Sequence, residues 1–209
     1  MERRAPFSLG RITTAVLEIV RNRIALGYTV TAGLVSGAFI GYLNSAQQIF
    51  QEQYALGELF PLIFAVIALS LGTASFLNSR LVMRFGMRFL VRTALLVIVS
   101  AALVALVLVQ LGGVQPPLPL FMAYLMTSFF CVGILFGNLN SLAMEPLGHI
   151  AGIGAAVVGS LSTFLSAFLG AFIGQSYNGT VIPLVLGLGI LAVLSLAVVR
   201  WAEWGSTGD

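Results

Sequence analysis

The chain has 209 residues, 59% of them hydrophobic and 8% charged, with a formal net charge of +3. Soluble globular domains carry about 25% charged residues, so a water-wetted globular fold is excluded. All ten basic residues are arginines that flank apolar runs and do not cluster on one folded face, so the positive balance is no footprint of nucleic-acid binding.

Residues 1–23 have neither the apolar core nor the small-residue cleavage site of a signal peptide. Leu9, Ile12, Val16, Ile19 and Val20 recur there at helical spacing beside Arg11, Arg21 and Arg23. That pattern fits an amphipathic helix at a membrane interface, or equally a plain polar leader. Beyond it, no charge occurs from Thr93 to Met144 or from Ile150 to Val199. Each stretch is about 50 residues, enough for two helical spans and a turn. The turns fall at Gly112-Gly113-Val114-Gln115-Pro116-Pro117 and at Gln175-Ser176-Tyr177-Asn178-Gly179-Thr180, where Gly, Pro and Asn collect. Two earlier apolar runs complete a set of six spans, at about 24–44, 58–79, 89–111, 118–142, 150–174 and 181–201. The expected organisation is a linker over 1–23, a six-span bundle over 24–201 and a tail over 202–209.

If six spans alternate, all ten arginines share one side and the other side carries only Glu52 and Glu58. Basic residues at span ends stay cytoplasmic, so both termini are expected inside. Pro61, Pro119 and Pro183 then fall in the first turns of the spans that run inward, where a missing N–H has no helical partner to lose. Trp201 and Trp204 follow the last span, at the level of an interfacial aromatic belt. The lone Cys131 leaves no intramolecular disulfide.

Helices in lipid associate through small residues that let backbones approach. The first span carries Gly33, Gly37 and Gly41 at four-residue spacing. The fifth carries Gly152, Ala156, Gly159, Thr163, Ser166, Gly170 and Gly174 within about 80° of the helix circumference. Both read as helix–helix contacts, or as surfaces on which helices rock. On the fourth span Tyr124, Thr127, Ser128, Cys131 and Asn138 share a side. Interhelical hydrogen bonding and a ligand-facing wall both account for such a face. No span carries an embedded Asp, Glu, Lys or Arg, whereas a proton-coupled pathway needs a titratable group. Glu145 and His149, after the fourth span, are too few for a metal and fit a capping or loop-bracing role. An intramembrane protease is not supported, since Gly159-Ser160-Leu161-Ser162 lacks its second Gly and the one His lies at a span end. No nucleotide loop or metal motif is present, so no cofactor and no enzymatic chemistry are expected.

Asn78-Ser79-Arg80-Leu81-Val82-Met83-Arg84-Phe85-Gly86-Met87-Arg88 resembles the basic loop motif of the major facilitator superfamily, Gly-x-x-x-Asp-Arg/Lys-x-Gly-Arg-Arg/Lys. Arg84, Gly86 and Arg88 match; Ser79, Met83 and Met87 depart, as in the degenerate copy of the family's second half. Ala143-Met144-Glu145-Pro146-Leu147-Gly148-His149-Ile150-Ala151-Gly152 resembles the connection between spans ten and eleven of the bicyclomycin-resistance (Bcr/CflA) drug-efflux branch. Gln48-Ile49-Phe50-Gln51-Glu52-Gln53-Tyr54 resembles that branch's external loop after span seven.

The resemblance implies an all-α integral membrane fold of six transmembrane helices as two inverted three-helix repeats, half of a major facilitator fold. It implies a C-terminal half, in a bacterial inner membrane, that needs an N-terminal six-span half carrying the proton-coupling acid. Its function would be proton antiport of a hydrophobic or cationic drug-like molecule by alternating access. Cavity candidates are Tyr28, Tyr124, Thr127, Ser128, Cys131 and Asn138. Arg84, Gly86, Arg88, Glu145 and His149 would form the cytoplasmic loop motif, and Gly33, Gly37, Gly41, Gly159, Gly170 and Gly174 would pack helices. The alternative is a non-transporting six-helix membrane protein, an inert fragment or an assembly subunit.

Overall fold

The structure is a computed structural model that describes residues 9–112 and 115–204. Arg3 and Arg4, the first residues of the linker, Gly113-Val114 of one turn and residues 205–209 of the tail lie outside the described residues. The regular structure is all helical, with no strand among the described residues. A short helix α1 (Leu9–Arg21) is followed by α2 (Arg23–Gln47), α3 (Phe60–Phe85), α4 (Met87–Gly112), α5 (Leu118–Met144), α6 (Ala151–Gln175) and α7 (Ile182–Glu203).

Local chemistry sets the helix ends. Asn22 caps α2, its side-chain oxygen accepting from the backbone N–H groups of Ile24 and Ala25 at 3.1 and 3.0 Å. Pro61, Pro119 and Pro183 sit in the first turns of α3, α5 and α7. Gly86, at φ +78°, breaks the chain between α3 and α4 in a conformation only glycine takes without strain. A π-helical turn, Gln48–Gln53, widens the end of α2. Tyr54 then donates to the Pro116 carbonyl at 2.8 Å, and Gln115 donates to the Gln53 carbonyl at 2.8 Å, tying the two loops at that end together. Burial pushes the Tyr54 hydroxyl up to about 12.

Five stretches are long and apolar enough to cross a membrane. One of them, Leu118–Gln175, is 58 residues long. At 1.5 Å per residue that is about three times the ~30 Å hydrocarbon core. The 3₁₀ turn Glu145–Ile150 divides it into α5 and α6. These two run in opposite directions, because α6 lies parallel to α2 (Gly33 on Leu165, Gly37 on Leu169, Gly41 on Ile173) while α5 lies antiparallel to it (Tyr42 on Phe129, Phe39 on Phe136).

α2 is the centre. It packs on α5, α6 and α7, and most of its length is buried. α3 rests chiefly on α5, and α4 lies across α5 and α7. The helices overrun the apolar runs of the sequence: α2 reaches Gln47, α3 reaches Phe85 and α7 reaches Glu203. The last is a correction, because Ala202 and Glu203 are buried bundle residues and not tail.

Candidate functional site

α2 and α6 approach each other closely along their glycines. A Cβ placed on Gly33 would stand 2.8 Å from Leu165, on Gly37 2.9 Å from Leu169 and on Gly41 2.8 Å from Ile173. The fit is reciprocal: a Cβ on Gly170 would stand 2.6 Å from the Cβ of Ile40, and on Gly174 2.5 Å from that of Asn44. Each helix therefore lays a ridge of large side chains into the other's glycine groove, the arrangement that replaces hydrophobic driving force in lipid. Gly159 departs from the expectation, because nothing in the chain lies within 4 Å of its Cβ position and that part of α6 faces open space.

The polar side of α5 is turned to α3 and α4. Asn138 exchanges side-chain hydrogen bonds with Asn78 of α3 at 2.9 and 3.3 Å, and also donates to the Ile134 carbonyl at 2.9 Å. Cys131 and Thr127 border a groove between α3, α4 and α5 of about 500 Å³. Tyr124 and Thr127 border a second, about 500 Å³, along α4. The hydroxyls of Tyr124 and Ser128 are buried one turn apart and find no other partner among the described residues. Only Thr127 of this set is exposed. α3 and α4 cover most of this face. Tyr28 is fully buried against α7.

A different surface is open. On α2, Asn44 and Gln47 are exposed and Ser36 is partly so, along one side with Phe39, Ile40 and Leu43. Phe39 meets Phe129 and Phe136 of α5 edge-on at 5.7 Å. One turn past Phe136, Asn140 and Ser141 are exposed, their side chains returned to the Phe136 and Gly137 carbonyls. Asn44 donates to the Gly170 carbonyl of α6 at 3.2 Å. This side, formed by α2 with α5 and α6 beside it, carries aromatic surface and uncharged amides. Asn44 and Gln47 escaped the sequence reading because the apolar run ends there while the helix continues; Asn140 lies about 200° round the helix from Asn138.

The arginine-bearing end is laced by ion pairs. Arg88 pairs with Glu145 at 3.0 Å, joining the start of α4 to the turn after α5. His149 pairs with Glu18 of α1 at 2.7 Å. The guanidinium of Arg84 lies over the Phe85 ring, 5.2 Å from its centroid. Glu203, 4% exposed, is the residue sequence reasoning missed. Its carboxylate accepts from Tyr28 Oη at 2.5 Å and from Arg92 Nε at 2.8 Å, and Arg92 Nη2 also donates to it. It thereby binds α2, α4 and α7 at one point. Arg23 donates to the Trp201 carbonyl at 2.9 Å and lies 5.0 Å from the centroid of the indole. No group of three metal-ligating side chains occurs among the described residues.

No family model matches the chain, and no solved structure matches it. Two curated proteins do. An uncharacterized MFS-type transporter, YdgK, of Bacillus subtilis (strain 168) is 24% identical over 195 residues, which is 93% of this chain and 48% of the relative. A bicyclomycin resistance protein homolog of Haemophilus influenzae is 24% identical over 201 residues, again 93% of this chain and 48% of the relative. The chain is a relative of major facilitator transporters. It spans about half the length of the curated relatives it matches. With its long apolar helices, the relationship makes it a multi-pass membrane protein; one relative is named as a transporter and the other as a resistance protein homolog.

Proposed function

We propose that the chain is the C-terminal six-helix half of a bacterial inner-membrane drug exporter of the Bcr/CflA type, working by alternating access and proton antiport. The observation that carries this reading is the match to an MFS-type transporter and a bicyclomycin resistance protein homolog over 93% of the chain but only 48% of theirs. The Arg84-Phe85-Gly86-Met87-Arg88 loop and the Glu145-Pro146-Leu147-Gly148-His149 turn favour the second half over the first, because they resemble that half's motifs.

The helix contacts support two inverted three-helix repeats. Exchange α2 with α5, α3 with α6 and α4 with α7. The parallel pair α2–α6 becomes the parallel pair α5–α3, the pair α2–α7 becomes α5–α4, and α2–α5 and α4–α7 map onto themselves, so the main contact pattern is unchanged. The open side of α2, α5 and α6 is then the wall of a cavity completed by the other half. Phe39 and Phe136 would take a hydrophobic or cationic drug-like molecule by stacking and cation–π attraction, and Asn44, Gln47 and Asn140 would orient it. The arginine-bearing end is cytoplasmic. Proton coupling falls to the partner half, because the one buried carboxylate among the described residues is committed to Arg92 and Tyr28.

The test is efflux of a fluorescent drug from cells expressing this chain alone and then with a matching N-terminal six-span half. Efflux is expected only from the pair, and only with a proton gradient. Gradient-driven efflux by the chain alone would refute the reading.

A further inference from the structure

We infer that the seam between α4 and α7 is a binding site for one anionic phospholipid of the arginine-side leaflet, with its phosphate held by Arg200 and Arg92 and an acyl chain laid along the helix pair. The inference rests on the membrane reading alone and on no step of transport.

At the arginine-bearing end the two helices part around a cavity of about 560 Å³. Arg92, Arg200, Trp204 and the Arg92-paired Glu203 line it together with Leu96, Leu196 and Val199. Arg200 has no hydrogen-bond or ion-pair partner among the described residues. Arg92 gives two of its donors to Glu203, yet its side chain is 52% exposed, so its remaining N–H groups reach the cavity. Glu203 cancels one of the two positive charges and Arg200 keeps the other. Trp204, 76% exposed, offers an indole at the level where such rings meet headgroups. Two guanidinium forks suit a phosphodiester, and they favour an anionic headgroup over a choline or ethanolamine one, whose own cation they would repel.

The seam continues downward as a wholly apolar groove of about 300 Å³, bordered by Val99, Leu103 and Leu106 of α4 and by Leu186, Ile190 and Val193 of α7. The helices run antiparallel, so Leu96 stands level with Leu196, and Leu106 with Leu186. Ala102 and Gly189 bring the backbones together at its base, where a Cβ on Gly189 would stand 3.0 Å from that of Ala102. Ten residues at 1.5 Å each give a depth of about 15 Å, half of a ~30 Å hydrocarbon core and thus one leaflet. Charge at the mouth, apolar lining below and the depth of one leaflet together specify a lipid. A basic pocket between transmembrane helices is the expected form of such a site.

The test uses the purified full chain in nanodiscs of phosphatidylglycerol or of phosphatidylcholine, with retained lipid read by native mass spectrometry and stability by thermal unfolding. Phosphatidylglycerol is expected to be retained and to raise the unfolding midpoint; phosphatidylcholine is not. Arg200→Gln should weaken retention roughly fivefold, the worth of one basic residue at a membrane surface. Arg80→Gln, an equal charge change on exposed α3, should not. Val193→Trp should expel the lipid with both arginines intact, and Leu69→Trp on α3 should not. Equal effects of the two arginine changes would mean diffuse surface charge and overturn the site. Stabilisation by inorganic phosphate equal to that by phosphatidylglycerol would reduce it to an anion site and overturn the lipid. Failure of drug efflux with the partner half present, while selective retention persists, would count against the transport reading and leave this one standing.

Discussion

Gly170→Ala adds one methyl group at a tight point of the α2–α6 seam. Its carbon would stand 2.6 Å from Ile40 Cβ and 3.1 Å from the backbone nitrogen of Gly41. Neither atom can turn away, because one is fixed to its own backbone and the other is backbone. Carbon atoms rest at about 3.5–4.0 Å, so the helices must separate by about 1 Å, a gap that forfeits a quarter to half of the dispersion energy of each contact along it. Overpacking of this kind costs about 1–3 kcal/mol. Alanine also gains about 0.8–1 kcal/mol of helix propensity over glycine, which opposes that cost. Gly159→Ala on the same helix has the same gain and no clash, since its Cβ position is open. The difference between the two variants cancels propensity and isolates the steric cost, about 1–3 kcal/mol with Gly170→Ala the less stable. Unfolding of both in mixed detergent micelles, titrated with a denaturing detergent, measures it. Equal stabilities would refute the interlocked seam.

Cysteines placed singly at Gly179 or Gln115 in a Cys131→Ser background should label from outside intact cells, and those at Met87 or Gly148 should not; the reverse pattern would invert the topology. Glu203→Ala should destabilise the bundle by about 2–3 kcal/mol, toward the lower end for a broken buried pair because half-exposed Arg92 can turn to water, as read by the same detergent titration. Native Cys131 is buried between α3, α4 and α5, so a water-soluble maleimide should label it only on unfolding. Fast labelling of the folded protein would show that the polar side of α5 is wet.

Much of the architecture was legible because it follows from local rules. Prolines mark helix starts wherever they fall in a first turn, and an arginine-only distribution separates the two ends of the bundle without reference to contacts. The sites were less legible because they depend on what lies opposite. The repeat of Gly33, Gly37 and Gly41 announces a close approach but not that Leu165, Leu169 and Ile173 fill it. The stripe on α6 reads as continuous, yet Gly170 meets Ile40 while Gly159 meets nothing, since α2 crosses only part of it. Tyr124, Ser128, Cys131 and Asn138 share a face in the sequence, but α3 and α4 cover it. Glu203 looked like a solvated residue after the last span, and its burial comes from Tyr28 and Arg92, 175 and 111 positions away. No periodicity encodes a partnership of that range.

The α2–α6 seam also has a consequence in time. Its two helices are made far apart: about 130 residues separate Gly33 from Leu165, roughly 7 to 26 seconds of synthesis at 5–20 residues per second. Throughout that interval the first long helix sits in the bilayer with its glycine groove filled by lipid chains or by a chaperoning helix of the insertion machinery. The helix that becomes the centre of the bundle therefore enters the membrane well before the helices that enclose it. Ribosome-stalled chains ending before residue 165 should be the ones most readily lost to membrane quality control.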